Sequence, residues 1–161
     1  MEGVNKKKAR DIYYRKAKDY GYRARSAFKL LQIDEEFDIF SGVQSAIDLC
    51  AAPGSWSQVL SQKLYKKDNS DNVEKFPVVA VDLQEMAPIE GVRLIQGDIT
   101  SNQTIQEILS HFQGDADETG QVDLMVCDGA PDVTGLHDID EFLQSQLLES
   151  GENFFHLFQP F

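Results

Sequence analysis

The chain has 161 residues, 42% of them hydrophobic, and a formal net charge of −12, which suits a single domain with a buried core and argues against a uniformly basic nucleic-acid binder. No apolar run is long enough to cross a bilayer, and the lysine-rich opening residues lack the apolar centre of a secretory signal. A membrane protein and an exported one are therefore not expected, and a cytoplasmic setting is.

The charge is unevenly placed. Residues 1–31 carry ten of the fifteen Lys and Arg against three acids, a balance of +7, whereas the other 130 residues carry five bases and twenty-four acids, a balance of −19. Tyr13, Tyr14, Tyr20, Tyr22 and Phe28 interleave with the basic residues. Cations that pair with phosphate beside flat faces that stack on unpaired bases make an RNA-binding composition. The alternative is a solvated basic helix whose aromatics pack on the body of the domain.

Arg25 to Phe37 is predicted helical, with Ser26 as N-cap and Ala27, Leu30, Leu31 and Phe37 on one apolar face. Ser45 to Cys50 is the first predicted strand, and beyond the Pro53-Gly54 turn Trp56, Val59, Leu60 and Leu64 recur at helical spacing. The polar run from Lys66 to Lys75 reads as a surface insertion within one domain. Pro77 to Leu83 is continuous and β-branched, as a strand buried on both faces should be, and Val92 to Gly97 is a third, less apolar strand. Ile105, Ile108, Leu109 and Phe112 mark an amphipathic helix, Val122 to Cys127 a fourth strand, and Ile139, Phe142, Leu143 and Leu147 a last helix ending near Gly151. The repeated β-α units predict an α/β fold with a parallel, doubly wound, Rossmann-like sheet. Cys50 and Cys127 each close a strand and read as buried free thiols, not as a disulfide.

Asp82, Asp98 and Asp128 each fall at or just past the carboxyl end of a successive predicted strand, so one edge of the sheet gathers acids. A carboxylate after the second strand is placed to hold ribose hydroxyls, and a later one to meet an adenine amino group. The loop Ala51 to Trp56 lacks a full G-x-G-x-x-G run. A neutral loop with an acidic rim suits S-adenosylmethionine, a sulfonium cation without phosphate, better than a dinucleotide, which stands second.

Three segments then match one family in order: Arg23 to Leu30 (RARSAFKL), Asp48 to Leu64 (DLCAAPGSWSQVLSQKL) and Cys127 to Glu141 (CDGAPDVTGLHDIDE). The chain resembles the FtsJ-like RNA 2′-O-ribose methyltransferases, and the eukaryotic branch acting on the tRNA anticodon loop more than the branch acting on large-subunit rRNA. The resemblance runs from about Arg10 to Leu148. It implies contacts to S-adenosylmethionine from Gly54, Trp56, Asp82, Asp98 and Asp128, with tRNA nucleotides 32 and 34 as the expected targets and a large accessory protein subunit as partner. For Trp56 a core aromatic, for Asp98 a helix cap and for Asp128 a turn-former are the plain structural alternatives.

The family's chemistry uses a Lys-Asp-Lys-Glu set in which the second lysine takes the proton of the ribose 2′-OH. Lys29 matches its first lysine and Asp128 its aspartate, with roles of orienting the hydroxyl and tuning the site. The second lysine and the glutamate belong farther along the family pattern than Phe161, so the expectation is a partial FtsJ-like domain over residues 1–161, truncated on its C-terminal side, with an RNA-contacting arm at 1–31. His137, Asp138, Asp140 and Glu141 read as acids at the start of a helix, not as a metal site. Two functions follow: a tRNA 2′-O-methyltransferase, or a catalytically silent fragment that binds cofactor or tRNA. An rRNA 2′-O-methyltransferase stands behind both.

Overall fold

In the computed structural model, the described residues are 12–65, 76–112 and 122–129, together with 145, 149 and 151. The strands are β1 (Ala46–Leu49), β2 (Val78–Asp82), β3 (Val92–Gln96) and β4 (Leu124–Cys127). They form a sheet of order β3-β2-β1-β4 in which every pairing is parallel. The chain steps outward from β1 through β2 to β3 and then crosses back to lay β4 on the far side of β1. The order therefore reverses between β1 and β4, the point at which doubly wound sheets open a ligand crevice at their carboxyl ends.

The helices are α1 over residues 12–19, α2 (Ala27–Phe37), α3 (Ser55–Leu64) and α4 (Asn102–Phe112). Alternation along each strand divides the core in two. Ala46, Val78 and Ala80 join Ala27, Leu30, Trp56, Val59 and Leu60 from α2 and α3 on one face. Ile47, Leu49, Val79 and Val81 join Ile108 of α4 on the other. This two-faced burial is what the continuous apolar β2 sequence demands.

The predicted strands form with ends shifted by one or two residues. The stretch Lys66 to Lys75 lies outside the described residues, and so does the last predicted helix except for 145, 149 and 151, which are helical. Two expectations for α2 are corrected. Phe37 is 67% exposed, because the helix ends there in a left-handed Asp38 and its final turn stands clear of the core. Ser26 occupies the N-cap position, but its own helical backbone conformation leaves its hydroxyl without a capping bond. That hydroxyl instead meets Ser55 Oγ at 2.6 Å, fixing α2 against the start of α3.

α1 closes in a Schellman motif. The Tyr22 N–H donates to the Ala17 carbonyl at 2.8 Å, the Gly21 N–H to Lys18 at 3.2 Å, and Gly21 takes the positive φ of 75° that the motif requires. The turn folds the tyrosines back around Phe28, with ring centroids at 5.7 Å for Tyr13, 6.1 Å for Tyr20 and 5.8 Å for Tyr22. The rings of Tyr13, Tyr20 and Tyr22 thus pack on the body of the domain, while Tyr14 and Tyr20 stay about 70% exposed. At the other end of the sheet, Asp123 Oδ2 accepts the Gln44 and Ser45 amides at 2.9 Å and the Ser45 hydroxyl at 3.1 Å, registering β4 on β1. Burial opposes its charge, but these three donors outweigh it and hold its pKa below the ordinary value.

Candidate functional site

At the switch point the carboxyl ends of β1 and β4, the loop after β1 and the starts of α2 and α3 border a small, partly open cleft. Its lining is Ser26, Asp48, Cys50, Ala51, Ala52, Ser55, Trp56 and Asp128. Two of these are carboxylates and none is basic.

Asp48 is the member that sequence reasoning passed over. It is 1% exposed, on the strand face that looks toward α3, and it accepts the Ser57 hydroxyl at 2.6 Å. Burial pushes its pKa up to about 7 against the opposing Ser57 bond, and the neighbouring Cys127 and Asp128 add to the rise. The signal in the sequence was an acid inside an otherwise apolar strand, which a parallel sheet covered on both faces tolerates only with a partner or a purpose.

Beside it, the two cysteines are free, as expected, but not both buried: Cys50 is half-buried and Cys127 exposed. Cys127 is the last residue of β4, while Cys50, just past β1 at a positive φ of 56°, lines the cleft and packs against the core cluster on the α4 side. A hydrogen bond from the Cys50 thiol brings the Cys127 thiol down to about 6, with the Gly129 amide assisting against burial. The same bond, reinforced by burial, pushes Cys50 up.

Lys29 and Asp128, 99 residues apart, meet at the mouth of the cleft, with Nζ to Oδ1 at 2.6 Å. Asp128 is therefore an ion-pair partner and not merely a turn-former. Trp56 lines the cleft and also belongs to the core, 9% exposed, with its indole N–H donating to the Ser26 carbonyl at 2.8 Å. The loop before it turns at Gly54, where the φ of 101° strains any residue with a side chain and a Cβ would lie 2.8 Å from Arg23 Nη1 and 2.9 Å from Ile89 Cδ1, so that these two side-chain ends would have to shift.

Asp82 and Asp98 stand outside the lining, on the next two strand ends. Asp82 Oδ2 accepts the Ala52 amide at 2.8 Å and Oδ1 the Gln84 amide at 2.8 Å, tying the β1 loop to β2. Asp98 is exposed and closes a tight turn, its Oδ1 accepting the Thr100 hydroxyl at 2.7 Å and amide at 2.8 Å. The Thr100 hydroxyl, then its amide, lower the Asp98 pKa. Asp98 thus precedes α4 without capping it, since α4 begins at Asn102. The structure gathers Trp56, Asp128 and Lys29 around the cleft, with Gly54 in its loop, and leaves Asp82 and Asp98 along the sheet edge. His137, Asp138, Asp140 and Glu141 lie outside the described residues, among which no helix is long and apolar enough to cross a membrane.

Residues 22–158 match the family model for FtsJ-like methyltransferases. A tRNA (cytidine(32)/guanosine(34)-2'-O)-methyltransferase of Mus musculus is 60% identical over 94% of this chain and 43% of its own length. The Homo sapiens protein of that name is 57% identical over 98% of this chain and 45% of its own. A crystal structure described as a ribosomal RNA methyltransferase of Plasmodium falciparum aligns with a TM-score of 0.65 at 26% identity, covering 86% of this chain and 73% of that one. The chain spans about half the length of the curated relatives it matches. With the strand order, the cleft at the switch point and the match over 22–158 in agreement, the chain belongs to the FtsJ-like methyltransferase family.

Proposed function

We propose that this chain serves the transfer of a methyl group from S-adenosylmethionine to the ribose 2′-OH of tRNA anticodon-loop nucleotides 32 and 34, the targets named for its mouse and human relatives. The observation that carries this reading is the Lys29–Asp128 pair at the mouth of a cleft lined by two carboxylates and no cation. A pyrophosphate would find no basic residue in the lining itself, where a sulfonium and an ammonium meet the Asp128 carboxylate and the carboxyl oxygens of the buried Asp48. When bound, the cofactor supplies a methyl group made electrophilic by the positive sulfur.

The chain's own residues do the rest. Asp82 keeps lone pairs free beyond the two amides it accepts and serves as the ribose contact. Asp98 serves the adenine amino group, Gly54 allows close backbone approach, and Trp56 walls the cleft. Lys29, charged and held by Asp128, donates to the acceptor ribose and fixes its orientation. A charged lysine cannot also take the hydroxyl proton. Among the described residues the cleft lining holds no lysine, so the proton acceptor is not assigned to them. A second reading is a fragment that binds cofactor or tRNA without turnover. The arm of residues 1–31 serves as the tRNA contact, in a cytoplasmic setting, with a large accessory subunit as partner.

The deciding experiment is calorimetric titration of the chain with S-adenosylmethionine, with Asp82→Ala as control. Saturable binding weakened at least about tenfold in the variant is expected, because a charged acceptor and its tie to the Ala52 amide are both lost. No binding by the folded chain overturns the cofactor reading. Methyl transfer that disappears in Asp128→Ala then favours the enzyme, and binding without transfer favours the silent fragment.

For the RNA side, reversing charge at the exposed Arg15, Lys16 and Lys18 is expected to weaken binding of an anticodon stem-loop and lower its log–log salt slope by about 2–3. Filter-binding titrations over a range of salt concentrations check this. Unchanged affinity removes the arm from the interface, and preference for an rRNA hairpin favours the rRNA branch.

A further inference from the structure

Arg23 sits where three segments converge and is absent from every role assigned above. Its Nη1 donates to the Pro53 carbonyl at 3.0 Å, in the loop that leaves β1. Its Nη2 donates to the Ala87 carbonyl at 2.8 Å and the Pro88 carbonyl at 2.9 Å, in the loop that leaves β2. Its own backbone N–H donates to Gln58 Oε1 of α3 at 2.8 Å, and Gln58 Nε2 returns a bond to the Gly21 carbonyl at 3.1 Å. Gly54 lies directly beneath the guanidinium, in a space that any side chain would take.

Resting on the cofactor reading above, we propose that Arg23 is a positioning residue that sets the separation of the two loops bordering the cofactor site and locks them to the arm that leads to Lys29. The planar fork suits this task because its donors diverge at fixed angles, so one side chain holds three carbonyls from two loops at once. A lysine ammonium is a point donor and cannot hold both loops at the same spacing. Two loops flanking adjacent parallel strands have no ladder of their own to fix them. Here Asp82 ties the first loop to β2 from below through the Ala52 amide, and Arg23 ties it to the second loop from the other side. The link also runs outward, since the Gly21–Arg23 turn joins α1 to α2 and so connects the basic arm to the cofactor loop.

The test compares the chain with Arg23→Lys and Arg23→Gln by two measurements. Amide hydrogen exchange is expected to speed about tenfold or more over residues 51–58 and 84–91 in both variants, with β1 and β2 unchanged. Titration with S-adenosylmethionine is expected to give affinity about tenfold weaker in both, with charge retention in Arg23→Lys giving no rescue. Should Arg23→Gln fail to fold, Arg23→Lys, which keeps the charge and the stem, carries both measurements. Loop exchange that matches the parent chain overturns the proposal, and so does Arg23→Lys binding the cofactor like the parent. If the parent chain itself binds no cofactor, the functional reading fails while the exchange pattern still decides the role of Arg23.

Discussion

Trp56→Ala is expected to lower the unfolding free energy by about 3–5 kcal/mol, a large part of the roughly 5–15 kcal/mol that holds a domain of this size. The indole is 9% exposed and packs in the core cluster with Leu30, Val59 and Leu60, so truncation leaves a void that neighbouring strands cannot collapse to fill. It also removes one of the bonds to the Ser26 carbonyl, which accepts the indole N–H at 2.8 Å and the Lys29 amide at 2.9 Å. Trp56→Phe separates the two effects, since it keeps most of the ring volume and removes only the donor, for an expected cost of about 1 kcal/mol. Urea titrations followed by circular dichroism check both, because Trp56 is the single tryptophan and its removal abolishes indole fluorescence. Equal midpoints for the alanine and phenylalanine variants would show that the ring contributes nothing by packing and leave only the cofactor role proposed for it.

Asp48→Asn is expected to flatten the pH dependence of stability between about pH 4 and 7. In the parent chain burial raises the carboxyl to about 7 from an unfolded value of 3.8, so over that interval the native state holds a proton that the unfolded state has released. Stability must then fall as pH rises through the window, with the loss complete above about pH 7. Asparagine keeps an oxygen for the Ser57 hydroxyl and carries no charge, so the variant should be more stable at pH 8, by an amount on the order of 2 kcal/mol, and similar at pH 4. Asp98 and Asp123 have lowered values and act with the opposite sign below about pH 4. Cys127, lowered to about 6 from 9.0, adds stability as pH rises above 6, so the difference between parent and variant, not the parent curve alone, isolates Asp48. Thermal unfolding at several pH values checks this. A parent and variant that run parallel from pH 4 to 8 would show Asp48 ionised throughout.

Most of the fold was legible because its strands announce themselves. The run PVVAVDL has no polar side to turn outward, and a strand buried on both faces requires helices on both. The acids were legible for a related reason, since a carboxylate following such a run marks the point where the sheet meets solvent. Asp48 was not, because its place inside the strand, in AIDL, gave it the reading of its apolar neighbours. Ser26 and Phe37 went astray through local rules that tertiary contacts overrode: the Ser55 hydroxyl offered Ser26 a better partner than its own helix, and α2 ended before Phe37 could reach the core. Arg23 was counted only as charge, because nothing in a sequence tells which carbonyls will converge on a guanidinium.

The Lys29–Asp128 contact has a consequence for the order of assembly. It joins residues 99 positions apart, whereas the Asp48–Ser57 bond that shapes the floor of the same cleft spans only nine. Contacts between distant parts of a chain are closed at greater entropic cost and set the pace of folding. During synthesis, the floor of the cleft can form soon after α3 emerges, but the pair at its mouth must wait for β4. A nascent chain would pass through a stage in which the Asp48–Ser57 bond exists and Lys29 still lacks its partner Asp128, so completion of β4 is the step that closes the mouth of the cleft.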